Sequence, residues 1–380
     1  MFYTRSTERK FTMKLICKQD SLSAAVTNVQ RAVSTKTTLP ALEGILLRAE
    51  NGKIKLCGYD LEIGITTAID ANISEEGAIV VNAKLFGDIV RRLPKDEISI
   101  ETDDKYITYI SSGEVKYQIV GMYPGEFPDL PSFDEIDDIT IQSSMLKNMI
   151  KQTIFATSDD ITKMIYTGAL FEFENNVFRI IAIDGIKMAI RKEIVEYDKN
   201  SRFIVPKKAL NEILKLGGDD EEENIRIITG QRHAVFKVKN YSVFTRLIEG
   251  TFLDYRRTIP QNITTEACIV ARDFISSVER MSLLTSEKIQ SPIRLHFTDE
   301  EINLSCSTTI GKATDIIKTP VKGAELEIGF GNKHLLEALR NTDSDIIRVE
   351  LSNSSTAMKI MPVEGDSYLF MVVPMLLQRG

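Results

Sequence analysis

A stretch near the start of the chain returns 124 residues later, and more faintly after a further 124. Gly44, Asn51 and Asp60 are followed at that step by Gly168, Asn175 and Asp184. Ile54, Phe178 and Ile302 keep it, as do Leu56, Ile180 and Leu304. The repeated stretch reads as an apolar strand, an Asn-containing turn, a second apolar strand and a polar loop, the pattern of a β-hairpin. A period this long exceeds a solenoid repeat and has the size of a small domain. The 380 residues therefore divide into three copies, at 13–137, 138–264 and 265–380. The start, "MFYTRSTERKFT", has no apolar core of a secretory signal and reads as an extension over residues 1–12 outside the fold.

Each copy has two halves, each opening with a strand and then a helix. In the first halves, Leu22, Val26, Val29 and Val33 fall on one helical face behind a cap at Asp20 or Ser21. Leu146, Met149, Ile150 and Thr153 repeat the pattern, and so do Phe274, Val278 and Met281. The second halves contain "AKLFGDIVRRLP", "KKALNEILKLGG" and "NKHLLEALRNT", started by Asn82, Pro206 and Asn332 and stopped by Pro94, Gly217 and Asn341. Few helices among many strands and short turns make the fold class α+β. Polar segments from Tyr123 to Asp138 and from Arg256 to Glu266 read as linkers.

Several functions are disfavoured. There is no run of 18 apolar residues, so no membrane span is expected. The four Cys are scattered, as expected of buried thiols in a reducing cytoplasm. Three His without ligand spacing, and no nucleophile elbow or phosphate-binding loop, leave no catalytic residue, metal or cofactor to name. Asp60 and Asp184 suit turn-making. The acidic run 219–223 reads as a solvated loop ahead of a cation site.

The second-half helices carry a basic register. Lys84 and Lys208 are 124 apart, with Lys333 one residue late; Arg91, Lys215 and Arg340 follow seven residues after each. Seven residues is about two turns, so each pair shares a face. A chain of net charge −7 that places cations on three equivalent helices suits a polyanion contacted through one surface. Such contacts go to phosphates and carry no sequence information.

"TLPALEGILLRAENGKIKLCGYDLEIGI", "FPDL", "IDGIKMAI", "FIVPKKAL", "IEGTFLDYRRTIPQN" and "VVPMLL" together resemble, in order, the bacterial DNA polymerase III beta subunit, or beta sliding clamp, family. The resemblance runs from Met13 to about Leu377 and implies three clamp-type domains per chain in a head-to-tail ring homodimer. Helices line the hole of such a ring. It implies a non-catalytic processivity factor that encircles duplex DNA independently of sequence. Its partners would be the replicative polymerase, an ATP-driven clamp loader and other clamp-binding-motif proteins, in the bacterial cytoplasm and at the nucleoid. Lys36 falls where the family has a DNA-contacting basic residue, and the six register residues would join it.

The resemblance also implies a partner-peptide pocket at Tyr166, Ile183, Gly185, Ile186, Lys187, Met188, Leu253, Thr258, Met371, Val373, Pro374, Met375 and Leu376. Ile186 and Lys187 replace the family's His-Arg, Leu253 a common Pro, Thr258 a Val and Leu376 an Arg, so the pocket is partly remodelled. For the dimer interface the matching positions are Tyr117 and Ile119 on one side and Leu283 and Leu284 on the other; burial inside one domain reads these four equally well. Two other classes stay open: a clamp-like scaffold that does not encircle DNA, and an enzyme with an interdomain site.

Overall fold

The first hairpin turns because its Asn-Gly pair takes the left-handed backbone that these residues tolerate, with φ of 51° at Asn51 and 71° at Gly52. Asn175 and Asn176 do the same at 53° and 59°. Strands Gly44–Glu50 and Lys53–Tyr59 then pair from Glu50 opposite Lys53, and Gly168–Glu174 and Val177–Ile183 from Glu174 opposite Val177. In the third copy, Phe297 of Ile293–Phe297 lies opposite Ile302 of Glu301–Thr308. The repeat legible in the sequence is a repeat of this hairpin.

The computed structural model describes residues 11–34, 37–217, 223–285 and 291–377. Lys36 and most of the acidic run 219–223 lie outside them. Among the described residues there are six α-helices: α1 (Gln19–Val29), α2 (Ala83–Arg92), α3 (Ser143–Lys151), α4 (Lys207–Leu216), α5 (Ala271–Ser282) and α6 (Asn332–Arg340). The expected apolar faces are buried: Leu22, Val26 and Val29 in α1, Leu146, Met149 and Ile150 in α3, and Phe274, Val278 and Met281 in α5. Asn82 caps α2, its side chain accepting from the Leu85 amide at 3.0 Å.

Two expectations are corrected. Neither Asp20 nor Ser21 caps α1. The helix begins earlier, at Gln19, whose amide donates to Asp96 O at 3.0 Å and whose side chain donates to Val90 O at 2.7 Å. The first strand, Phe11–Lys18, starts inside the expected extension: Phe11 lies opposite Asp103, and the Thr12 hydroxyl donates to Thr102 O at 3.3 Å.

Each copy builds two four-stranded antiparallel blocks, and its halves exchange their opening strands between them. One block orders its strands fourth-first-second-third, as in Gly77–Asn82, which opens the second half, with Gly44–Glu50, Lys53–Tyr59 and Ile63–Asp70. The other runs in sequence order, as in Asp137–Gln142, which opens the first half, with Asn224–Thr229, His233–Val238 and Tyr241–Arg246. Blocks from neighbouring copies then join edge to edge. Tyr241–Arg246 pairs with Ile63–Asp70 to make an eight-stranded sheet, and Lys187–Ile194 pairs with Tyr368–Val372 inside a nine-stranded one. A five-stranded sheet ends at Val115–Val120 and a four-stranded one at Gly311–Lys318.

The chain forms two compact units. Unit 1 comprises the described residues within 1–144 and 211–246 and holds the five- and eight-stranded sheets; unit 2 comprises those within 145–210 and 247–380 and holds the other two. The central copy thus divides its two blocks between the units. In unit 1, α1 packs against α2, and a core of Leu42, Tyr59, Val80, Phe127 and Phe244 closes over the eight-stranded sheet. In unit 2, α5 packs against α6, and Leu170, Ile181, Ile183, Met188, Ile190, Ile204, Phe252, Tyr255 and Met371 form the corresponding core. Burial of such side chains, at about 25 cal/mol per Å² of apolar surface, is the main force holding each unit together.

Candidate nucleic-acid interface and peptide cleft

All six cations of the basic register are exposed, Lys84, Lys208 and Lys333 in the first turn or two of their helices and Arg91, Lys215 and Arg340 two turns on. The last three each meet a carboxylate. Arg91 Nη2 lies 2.7 Å from Asp88 Oδ1, Lys215 Nζ 2.7 Å from Glu212 Oε1, and Arg340 Nη2 2.6 Å from Glu279 Oε1. The hydrogen bond from Arg91 holds the Asp88 carboxyl below its usual range. Glu212 is buried and also accepts Arg31 Nε at 2.6 Å. Further cations are similarly engaged: Lys207 with Asp159 at 2.7 Å, and Arg280 Nε with Asp315 at 2.8 Å. Counting cations alone missed these acids, although the i−3 positions of Asp88 and Glu212 are a readable signal.

The expected pocket residues gather within unit 2. Ile183, Met188 and Met371 lie in its core beside Phe252, on which Tyr166 packs edge-on at 5.7 Å. Over this floor stands an apolar rim: Ile186 is 44%, Leu253 42%, Val373 43% and Leu376 89% exposed. Asp184 shapes the neighbouring loop as a turn-maker, its Oδ1 accepting from the Ile186 and Lys187 amides at 2.8 and 2.7 Å, and Gly185 supplies the required φ of 96°. Asp60 does the equivalent work for the Glu62 and Ile63 amides. The terminal segment is tied down by Val373 N donating to Ile186 O and Met375 N to Gly329 O, both at 2.8 Å, with Pro374 and Met375 half-buried. The Thr258 hydroxyl donates to Tyr255 O at 2.7 Å.

Lys187 is the exception. Its side chain is buried, with the ammonium donating to Phe155 O at 3.0 Å, 3.3 Å from Asp184 Oδ2 and paired with Glu337 of α6. It supports the loop from beneath and is no polar handle on the rim. His334 completes this cluster, and burial, helped by the Lys187 charge, lowers its pKa.

Of the expected interface residues, Tyr117 is exposed on the edge strand Val115–Val120, while Ile119 is buried in its own sheet. Leu283, at the end of α5, is 82% exposed, and Leu284 is half-buried close to Gly311, where the edge strand Gly311–Lys318 begins.

Comparison with known proteins matches three successive family models to this chain. They are the N-terminal domain of the DNA polymerase III beta subunit over residues 13–131, the central domain over 140–254 and the C-terminal domain over 256–376. The chain belongs to the DNA polymerase III beta subunit family. It is 32% identical to the beta sliding clamp of Halalkalibacterium halodurans over 377 residues, covering 95% of this chain and 99% of that one. The Bacillus subtilis beta sliding clamp is likewise 32% identical, over 375 residues. A crystal structure of a putative DNA polymerase III beta subunit from Eubacterium rectale superposes with a TM-score of 0.92 at 34% identity, covering 96% and 99% of the two chains. The Bacillus subtilis sliding clamp gives 0.94 at 30%, covering 97% and 100%.

A sliding clamp is a non-catalytic processivity factor whose general partners are DNA and a DNA polymerase. Accordingly, the chemistry here is recognition. Among the described residues no group of three His, Cys, Asp or Glu is placed to hold a metal ion, and no described helix is long and apolar enough to cross a membrane. One feature of this clamp escaped sequence reasoning. Buried Glu172, beneath the loop that carries Leu253 and Thr258, accepts the Tyr255 hydroxyl at 2.6 Å and Arg256 Nη2 at 2.8 Å, with Arg202 Nε at 3.3 Å. Burial, followed by the bond to Glu172, raises the Tyr255 pKa.

Proposed function

We propose that two copies of this chain join head to tail into a ring that encloses duplex DNA and tethers its partners through the unit 2 cleft. The observation that carries this reading is the pair of unmatched sheet edges. Two of the three equivalent block junctions form within the chain, Tyr241–Arg246 on Ile63–Asp70 and Tyr368–Val372 on Lys187–Ile194. The strands that correspond to the missing junction are Val115–Val120 and Gly311–Lys318, at the ends of their sheets. A second copy offers each its complement, and a heterologous contact of this kind closes when the rotation permits. Tyr117, Leu283 and Leu284 flank these edges and belong to the interface, with Ile119 packed behind.

Lys84, Lys208 and Lys333, exposed near the starts of their helices, contact phosphate, and the family resemblance adds Lys36, which lies outside the described residues. The acids beside Arg91, Lys215 and Arg340 reduce what those three contribute. Contacts of this type are weak and blind to sequence, so the ring slides. The cleft in unit 2 receives apolar anchors of short peptide segments from the replicative polymerase, the ATP-driven loader and other clamp-binding proteins, in the bacterial cytoplasm and at the nucleoid.

Light scattering across a dilution series tests the assembly: a species of twice 42.8 kDa is expected. The dimer should then be retained on nicked circular DNA and lost when that DNA is linearised. A monomer at every concentration, or equal retention on both substrates, overturns the ring.

A further inference from the structure

The unit 2 cleft has a counterpart in unit 1. Leu46 and Leu170, Cys57 and Ile181, and Thr66 and Ile190 are each 124 residues apart. The loop sequence Gly125-Glu-Phe-Pro-Asp-Leu130 repeats as Gly250-Thr-Phe-Leu-Asp-Tyr255, one residue out of that step, and Phe127 and Phe252 are each 6% exposed under their loops. Both loops lie over the sheet close to where two blocks join. In unit 1, however, the equivalent positions hold smaller side chains, Cys57 for Ile181 and Thr66 for Ile190. A cavity of about 450 Å³ opens there, with Leu46, Cys57, Phe127 and Leu130 among its lining. That lies within the roughly 300–1,000 Å³ of ligand clefts.

The rim adds an independent sign. Arg48 and Lys55 both line this cavity, and they sit directly opposite each other across paired strands. Like charges so placed destabilise a sheet. Glu50 meets Lys55 at 2.5 Å and relieves part of this, while Arg48 stays exposed. Asp129 is the one carboxylate in the lining. An anionic group bound between Arg48 and Lys55 removes the repulsion.

We infer that unit 1 carries a second peptide cleft, which takes an extended segment whose bulky apolar side chain enters beside Phe127 and Leu130 and whose flanking carboxylate meets Arg48 and Lys55. The inference rests on reading the unit 2 cleft as a peptide site, because it is the equivalence of the two that assigns a peptide to this cavity. Its preference differs from that of unit 2: a larger anchor and an acidic neighbour. The half-buried Ser242 and Ala68 line the opposite strands, where a main chain can pass. A partner with two such segments would gain affinity from holding both clefts at once.

The test measures fluorescence anisotropy with fluoresceinyl-Gly-Glu-Leu-Phe-Glu amide, and with Gly-Lys-Leu-Phe-Lys as the charge-reversed control. Full-length chain is compared with Leu253→Asp, which spoils the unit 2 rim, and with Ala68→Trp and Arg48→Glu in unit 1. Two peptides per chain are expected. In Leu253→Asp one should remain, weakened tenfold or more by adding Arg48→Glu, abolished by adding Ala68→Trp, and not reproduced by the Lys peptide. Arg48 is exposed, so its variant stands if Ala68→Trp does not fold. Loss of all binding in Leu253→Asp overturns the second cleft and leaves the unit 2 reading intact. Binding that depends on Ala68 and Arg48 but ignores Leu253 sinks the unit 2 reading instead. Equal binding of the Lys peptide rejects an acidic ligand, and no binding of either peptide to the unaltered chain overturns both clefts.

Discussion

The Tyr255 hydroxyl donates a 2.6 Å hydrogen bond to the carboxylate of Glu172, a residue only 2% exposed. The two residues are 83 positions apart, and the bond fastens the loop 252–258 onto strand Gly168–Glu174. Tyr255→Phe removes a hydrogen bond to a charged group and should cost about 1.5–3 kcal/mol. Glu172→Ala removes the same bond and also the acceptor that Arg256 and Arg202 share, and should cost more, although solvent reaches both guanidinium groups and Arg256 keeps Glu174. Urea unfolding gives the ordering. Peptide titration of the folded fraction should show weaker binding at unit 2 in both, since Leu253 and Thr258 ride on the same loop.

The salt dependence of DNA binding reads what each basic residue contributes. Replacing Lys84, Lys208 or Lys333 by Gln should each lower the slope of log K against log salt by about 0.9 for every phosphate that is no longer neutralised. Arg91→Gln should change it less. Conversely, Asp88→Asn releases Arg91 and should tighten binding at low salt. An Asp88→Asn chain that binds no better would assign Arg91 to the packing of α2 on α1.

The hairpins were legible because their information is local. Asn-Gly and Asn-Asn specify a left-handed turn, and flanking alternation sets the strands. The helix faces were legible for the same reason. Blocks that join across copies were not: Tyr241 lies opposite Thr67, 174 residues away, and no local pattern encodes that register. The direction of Lys187 was hidden too. The first five residues of its strand, Lys187–Ile194, are all buried, so alternation does not reveal which face Lys187 takes. Arg340 finds Glu279 on a different helix, beyond any i, i+4 rule. The second cleft was obscured by a single residue, the loop repeating at 125 where the hairpin repeats at 124.

Disrupting the free edges should dissociate the dimer. Ile316 is exposed in the edge strand Gly311–Lys318, and Leu283 is exposed next in sequence to Leu284, which approaches Gly311. Leu283→Glu with Ile316→Glu replaces exposed apolar surface by charge, and the chain should become monomeric by light scattering while keeping its circular-dichroism spectrum. The same chain should lose retention on circular DNA.

His334 gives unit 2 an acid-side sensitivity. Its pKa in the folded chain lies below the ordinary 6.5, chiefly through burial and then through the charge of Lys187. The unfolded chain therefore binds the proton more readily. The contribution is fully present above about pH 6.5 and is lost as pH falls through the folded value. Thermal midpoints should decline from pH 7 towards pH 5 and decline less in His334→Gln. An identical decline in the variant would assign the sensitivity to carboxylates elsewhere.

The strand junctions differ in what dissociates them. Tyr241–Arg246 on Ile63–Asp70, and Lys187–Ile194 on Tyr368–Val372, are each held between segments of one continuous backbone. A covalent tether gives each an effective concentration of its own partner that dilution does not change. Only the junction between copies answers to the amount of protein in the cell, by mass action. Whatever controls the abundance of this chain therefore also sets what fraction of it stands in closed rings, and a factor that opens a ring has one kind of seam to work on.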